Sequence, residues 1–286
     1  MMSFPIPVVT YRPDIGPGSQ PQDDEILNTL DVQGDVLTFR PPMTELDAAP
    51  EVVAAAMDFL RQLLAALRAT PFGAPRPVRF SLLQFAPAVR DQINELLGEG
   101  EVSVQTGIDL RAQETAFTGI WRIRSAGGAG VDDVEAGAFP AALRDVALAR
   151  VFPSAANAPA VPPPDLMNAP ALYHEIRSLS AQWDARRAAQ VVNLSLLPAT
   201  PEDLAWLDEQ LGRISFSILS RGFGNCRITA AALPHVWWVQ YFNGMEKLIL
   251  NSIELVDIPA VALASAEDYA DSSVRLAEWI TSLEQA

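Results

Sequence analysis

Soft metal ligands and thiol chemistry are nearly absent from this 286-residue chain, which has one cysteine, Cys226, and two histidines, His174 and His235. One cysteine excludes an intramolecular disulfide and any cysteine-rich metal cage. Neither histidine lies in an H-E-x-x-H pattern, and no G-x-S-x-G elbow or G-x-x-x-x-G-K-S/T phosphate loop occurs. Long apolar runs are missing too. The best stretch, Val52–Leu67, is cut by Asp58 and Arg61, and falls short of the ~20 residues a membrane span needs. The segment Met1-Met2-Ser3-Phe4-Pro5 has no basic region followed by an apolar core, so it does not read as a secretory signal. Basic charge is scarce: 20 basic side chains face 35 acidic ones, a net charge of -15. Such a chain is repelled by phosphate backbones and anionic membranes and attracted by a basic partner segment. The expectation is a cytoplasmic protein with no nucleic-acid partner and no membrane insertion.

What is present suffices for real cores, since 49% of the residues are hydrophobic and 19% charged. Residues 1–49 read as an extended proline-rich arm, with Pro5, Pro7, Pro13, Pro17 and Pro21 around Gly16-Pro17-Gly18-Ser19-Gln20. That glycine-containing stretch follows no strand, opens no helix and lacks lysine, so it is not a phosphate loop. Pro50 suits a first helical position, and Val53, Met57, Leu60, Leu64 and Leu67 give an amphipathic helix from about 50 to 69. Residues 50–151 are then a helix plus a first α+β repeat. Residues 152–165, rich in proline and alanine, are a linker. Residues 166–286 are a helix carrying Leu172, Ile176, Leu179 and Trp183, a second α+β repeat, and a terminal helix with Tyr269, Leu276, Ile280 and Leu283.

The repeat emerges on self-comparison. At an offset of 114 residues, the spacing of Gly98 and Gly212, Val78–Val104 aligns with Val192–Ile218 without a gap, with nine identities in 27 positions. Each copy opens with an apolar strand, Val78–Leu83 and Val191–Leu197. A proline, Pro87 or Pro201, then begins a helix that a glycine ends. Thr200 and Asp203 resemble a capping box. Alternating strands follow at Val102/Val104 and Phe216/Ile218. Phe117–Ile123 next matches Leu233–Val239, and Val134-Glu135 before Pro140 matches Ile253-Glu254 before Pro259. The predicted fold is α+β: a tandem pseudo-repeat of two β-α-β-β-β-α units, with largely antiparallel sheets covered by helices.

The densest candidate site is Arg221-Gly222-Phe223-Gly224-Asn225-Cys226-Arg227. Two glycines allow tight curvature, and two arginines supply fixed charge in an acidic protein. It reads either as a hairpin turn delivering Cys226 to the core as a small hydrophobe, or as a binding loop. In the strand Trp237–Asn243, Trp237, Val239 and Tyr241 share one face, and Trp238, Gln240 and Phe242 the other. If the first face is core, Trp238 and Phe242 lie on a surface, under a helix or against a partner. The expected partner-binding set is Arg221, Gly222, Phe223, Gly224, Asn225, Cys226, Arg227, Trp238 and Phe242, with no catalytic residues, no cofactor and no metal.

Several ordered segments resemble the HupH/HyaF hydrogenase expression/formation proteins. They are Gly16-Pro17-Gly18-Ser19-Gln20, Leu96–Val102, Glu114–Arg122, and Arg221–Ile228 followed by Val236-Trp237-Trp238-Val239. The resemblance runs from the arm to about Ala270. It implies a non-enzymatic maturation factor for an uptake NiFe hydrogenase, a chaperone of the iron–sulfur small subunit precursor before export. It also implies a thioredoxin-like maturation protein as companion. Two other readings stay open: a thiol-dependent enzyme using Cys226 with Arg221 or His235, and a scaffold bridging other maturation proteins.

Overall fold

The computed structural model describes residues 41–42, 48–125, 127, 130–149, 162–186, 188–222 and 224–285. Nearly all of the expected arm over 1–49, most of the linker, and Phe223 lie outside the described residues. The elements run α1 (Pro50–Ala69), β1 (Val78–Ser81), α2 (Pro87–Leu97), β2 (Val102–Thr106), β3 (Leu110–Glu114), β4 (Ile120–Ser125), β5 (Asp132–Ala136) and α3 (Ala141–Leu148). They continue with α4 (Ala169–Ala181), β6 (Gln190–Asn193), α5 (Pro201–Leu211), β7 (Arg213–Ser220), β8 (Asn225–Ala231), β9 (Val236–Phe242), β10 (Leu248–Leu255) and α6 (Ala266–Leu283).

Local sequence punctuates these elements as expected. Pro87 and Pro201 open α2 and α5, where a missing N–H costs nothing. Gly98 (φ 62°, ψ -169°) and Gly212 (φ 61°, ψ 166°) end them in a conformation that side chains with a Cβ avoid. The Thr200–Asp203 capping box closes in both directions.

Among the described residues one antiparallel sheet takes in ten strands, in the order β1-β5-β4-β3-β2-β7-β8-β9-β10-β6. Its seam is the β2–β7 ladder, where Val104 pairs with Ile218. Outward from the seam the two wings have the same connectivity, ending on β1 and β6. The ladders also match in detail. Trp121 faces Glu135 in one wing, and Trp237 faces Glu254 in the other. Each indole then donates to a backbone carbonyl just past the next strand: Trp121 Nε1 to Gly137 O and Trp237 Nε1 to Val256 O, both at 3.0 Å.

Three points depart from the sequence expectation. Each wing carries four strands after its helix rather than three: β3 was not expected, and β8 only as the strand that Cys226 enters on the hairpin reading of its loop. In Leu110–Glu114 the in-phase positions are Leu110, Ala112 and Glu114, so the apolar alternation lasts two residues and ends on a buried carboxylate. The second wing closes on a three-residue 3-10 turn at Ala260–Ala262, not on an α-helix. The first strands are also shorter than expected, and their alignment shifts. Val78 pairs with Ala136 and Gln190 with Leu255. The buried place of Leu82 is therefore taken by Leu194, at 4% exposure, and not by Leu196, at 81%.

The sheet buries both faces. On one face α1, α2 and α6 cover β1, β4 and β5 through Phe59, Leu60, Leu63, Ile93, Leu96, Ile120 and Leu276. On the same face α4 and α5 cover the other wing through Tyr173, Ile176, Leu207, Trp238 and Ile253. The helix α6 thus joins the first wing, and its Trp279 Nε1 donates to Leu96 O. The opposite face is a continuous apolar floor crossing the seam, with Val104, Trp121, Phe216, Ile218, Cys226, Ile228 and Trp237 beneath α3 and the segment 256–262. Removing a core aromatic such as Trp121 or Trp237 costs about 3–5 kcal/mol, so each wing is anchored by its own indole.

Candidate functional site

The loop between β7 and β8 is set by what it packs on. Arg221 N donates to Glu101 O at 3.2 Å, which extends the seam by one step. Gly222 lies so close to the Glu101 carboxylate that a Cβ there would collide with it, and Gly224 (φ 98°) adopts a left-handed conformation. Gly224 is required for its backbone angle, whereas at Gly222 a side chain would have to displace the flexible Glu101 carboxylate. Burial lowers the pKa of the Arg221 guanidinium, and the Glu99 carboxylate opposes that shift.

The turn after α2 therefore meets the β7–β8 loop, and Glu114 stands behind it. Gly100 N donates to Glu114 O at 2.7 Å, and Gln113 Nε2 donates to Gly100 O at 3.1 Å. The Glu114 carboxylate is buried and accepts from Gly119 N at 2.9 Å. Burial pushes its pKa up to about 7, opposed by the Gly119 N–H and reinforced by Glu101. Three segments distant in sequence, Leu96–Val102, Glu114–Arg122 and Arg221–Arg227, converge here.

The far side of the loop is tied to the β9–β10 turn. Arg227 Nη2 pairs with Glu246 Oε2 at 2.8 Å, Asn225 Nδ2 donates to Glu246 Oε1 at 2.7 Å, and the Arg227 guanidinium lies 4.6 Å over the Phe242 ring. That stacking fixes Arg227 as a planar cation against an aromatic surface. Asn243 Oδ1 closes the turn by accepting from Met245 N and Lys247 N. Met245 at its tip is 83% exposed.

Of the nine residues expected to bind a partner, Arg221, Gly222, Gly224, Asn225, Arg227 and Phe242 thus lie together along one rim. Phe223 is outside the described residues. Cys226 and Trp238 point elsewhere. Cys226 is 1% exposed in the floor of the opposite face, with Tyr241 beside it in the β8–β9 ladder. Burial pushes its thiol up to about 12, against a hydrogen bond with the Tyr241 hydroxyl, which disfavours the thiolate. Trp238 is 3% exposed beneath α4 and α5, and its indole N–H donates to Asn251 Oδ1. Of the three places open to Trp238, it occupies the one under helices.

His235 stacks on Trp183 with ring centroids 5.2 Å apart, and its Nδ1 lies 2.9 Å from Asp257 Oδ1. Among the described residues no group of three or more His, Cys, Asp and Glu is arranged to hold a metal ion, and no helix is long and apolar enough to cross a membrane. Sequence reasoning missed Glu99, Glu101, Glu114, Met245 and Glu246 as parts of this rim. Only the first three had a signal, through the segments that resemble the family.

Residues 166–283 match the family profile "HupH hydrogenase expression protein, C-terminal conserved region". The hydrogenase expression/formation protein HoxQ of Cupriavidus necator is 38% identical over 99% of this chain and 100% of its own length. The hydrogenase expression/formation protein HupH of Rhodobacter capsulatus is 42% identical over 96% of this chain and 97% of its own. The hydrogenase-1 operon protein HyaF of Escherichia coli is 35% identical over 92% of this chain and 93% of its own. With similarity of this depth along nearly its whole length, the chain belongs to the HupH/HyaF family of hydrogenase expression/formation proteins.

Proposed function

We propose that this protein is a non-enzymatic maturation factor of the cytoplasm. It acts as a chaperone for the iron–sulfur small subunit precursor of an uptake NiFe hydrogenase before export, alongside a thioredoxin-like maturation protein. Membership of the family supports a role in hydrogenase maturation. The observation that carries the chaperone reading is the rim of Arg221, Gly222, Gly224, Arg227 and Phe242, a solvent-facing edge with an aromatic–arginine pair and no accessible thiol. Interface anchors are enriched in arginine and aromatic residues, and this rim has that composition. The net charge of -15 suits a precursor with a basic export signal.

We also propose that the two wings are diverged copies of one unit. Supporting this are the Trp121/Glu135 and Trp237/Glu254 pairs and the shared connectivity about the Val104–Ile218 seam. On this reading the shared frame is structural, and the second copy's Arg221–Arg227 loop is the specialised part.

A pull-down of the full chain from hydrogenase-expressing cells, with crosslink mapping, tests the chaperone reading. Crosslinks from the small subunit precursor to the Arg221–Phe242 rim are expected. Companion maturation proteins recovered equally from a strain lacking the small subunit, with no precursor crosslink in the complete strain, would favour a bridging scaffold instead. Binding unchanged after removal of the signal's arginines would remove the electrostatic link.

A further inference from the structure

A cavity of about 420 Å³ opens between the loop joining α1 to β1 and the start of α3. Phe72, Phe139, Ile258 and Tyr269 give it apolar walls, and Glu135, Arg144 and Asp257 are the charged side chains on its lining. The size is that of a small-ligand or side-chain pocket.

Glu135 is the unusual member. It is 1% exposed, and its Oε1 accepts from Ala141 N at 2.6 Å, the first N–H of α3. Its Oε2 is buried with no hydrogen-bond donor among the described residues, so an arriving donor meets it once the Glu135 side chain turns toward the cavity. The Arg79 Nη1 atom lies 3.9 Å from Oε2, beyond hydrogen-bond reach, and Arg79 is committed to Asp133 through Nε at 2.8 Å and Nη2 at 2.6 Å. Arg144 is largely exposed and reaches Asp257 at 3.5 Å. A carboxylate oxygen buried without a donor is costly, and a charged donor delivered from outside would relieve it. The acidic groups around the pocket, Glu135, Asp133, Asp145 and Asp257, outnumber the basic ones, Arg79 and Arg144.

We infer that this cavity binds a cationic group on an apolar stem, a guanidinium or ammonium whose methylenes lie against Phe72, Phe139 and Tyr269 while its N–H groups reach Glu135. The aromatic walls suit both parts of such a group, since a methylene stem packs on them and a cation is attracted to their faces. The same chemistry is offered by a lysine or arginine side chain of a bound polypeptide and by a free small cation. Burial, with Asp133 and Asp145 nearby, holds the Glu135 carboxyl above its ordinary range, opposed by the Ala141 N–H and Arg79. An arriving cation would draw that pKa down.

The test is calorimetric titration of the full chain with four probes: agmatine, acetyl-Ala-Arg-Ala-amide, acetyl-Ala-Glu-Ala-amide and acetyl-Ala-Leu-Ala-amide. Binding is expected for the first two only, and Glu135→Gln, which keeps an acceptor for Ala141 N, should weaken it roughly tenfold or more. Gly137→Leu is the second variant. A Cβ at Gly137 meets nothing within 4 Å, so a leucine fits there without a clash, and because Gly137 lines the cavity the added bulk should weaken binding while leaving Glu135 in place. The capped arginine peptide binding more tightly than agmatine assigns the site to polypeptide side chains, and equal or tighter agmatine binding assigns it to a free cation. The inference is overturned if neither cation binds, if the acidic or leucine peptide binds as well, or if Gly137→Leu leaves binding unchanged. Should Glu135→Gln not fold, Gly137→Leu alone decides.

Discussion

Val104 and Ile218 face each other across the β2–β7 ladder, and they are also the two positions equated when the chain is compared with itself at an offset of 114 residues. Flanking hydrogen bonds repeat the relationship. Gly107 N donates to Ser215 O on one side of this pair, and Arg221 N donates to Glu101 O on the other. The seam thus relates one wing to the other by an approximate twofold, and departures from that twofold locate what is particular to each end. At one end Gly107 meets Ser215. At the other Gly222 meets the Glu101 carboxylate.

Because the apolar floor runs unbroken across the seam, the wings should unfold together. Ile218→Ala removes a side chain at 2% exposure from the centre of that floor. Its expected cost is about 2–5 kcal/mol, the range for deleting buried branched aliphatics. In urea, the fluorine NMR signals of Trp121 and Trp237 in 5-fluorotryptophan-labelled protein, which keeps every indole, should report one coincident midpoint, lowered equally by Ile218→Ala. Two separate midpoints would show that the wings are independent.

Cys226 should behave as a core residue. Its thiol is expected to resist a disulfide reagent such as dithiobis-nitrobenzoate in the native protein and to react fully in denaturant. Cys226→Ala should lower stability by about 1 kcal/mol and leave hydrogenase maturation intact in a complementation assay. Loss of maturation by a folded Cys226→Ala protein would restore the thiol-dependent mechanism.

These two cases mark where the sequence was legible and where it was not. The helices α2 and α5 were readable because Pro87, Gly98, Pro201 and Gly212 act locally, through one missing N–H and one backbone angle. Alternation along Trp237–Phe242 separated two faces correctly, but it carries no information about what lies on them. The cover over Trp238 comes from Tyr173 and Ile176 on α4 and Leu207 on α5, whose approach is decided by packing between distant elements. Cys226 sits in phase with Ile228 and Ala230, all buried, so period-two spacing within β8 pointed inward. The strand was obscured because its first residues also read as a binding loop. Glu246, which holds Asn225 and Arg227, follows Asn243-Gly244, which marks a hairpin turn but says nothing of that turn's approach to the start of β8.

Glu114 should make stability fall as pH rises toward neutrality. Its ordinary pKa of 4.5 is pushed up to about 7 in the folded protein. Between those values the folded state holds a proton that the unfolded state has released, so stability drops progressively across that window and levels off above it. The cost at alkaline pH is of order 3 kcal/mol for a shift of this size. Glu114→Gln keeps an oxygen to accept from Gly119 N and carries no charge. Denaturation at pH 5 and pH 8 should show the variant gaining stability relative to the wild type chiefly at pH 8.

Asp203 should show the opposite sign. Its carboxylate is 1% exposed, yet burial, which alone would raise its pKa, is outweighed by backbone donors that hold it below the ordinary 3.8. Oδ1 accepts from Met167 N, Asn168 N and Ala169 N at 3.0, 3.1 and 3.0 Å, and Oδ2 accepts from Thr200 N at 3.1 Å. One side chain therefore caps its own helix, α5, and gathers the N–H groups that lead into α4. In Asp203→Asn the oxygen can serve the first three donors, but the amide NH₂ then meets the Thr200 N–H, donor against donor. Leaving buried donors unpaired and losing the charge should cost about 3 kcal/mol or more at pH 7. Stability from this group is present above the unfolded pKa and is lost as pH falls through the lower folded one. The gap between wild type and Asp203→Asn, measured by urea denaturation, should therefore be largest near neutrality and shrink below about pH 4, the ordinary aspartate range. A gap that stays constant to pH 2 would mean that the ionised carboxylate is not what organises the start of α4.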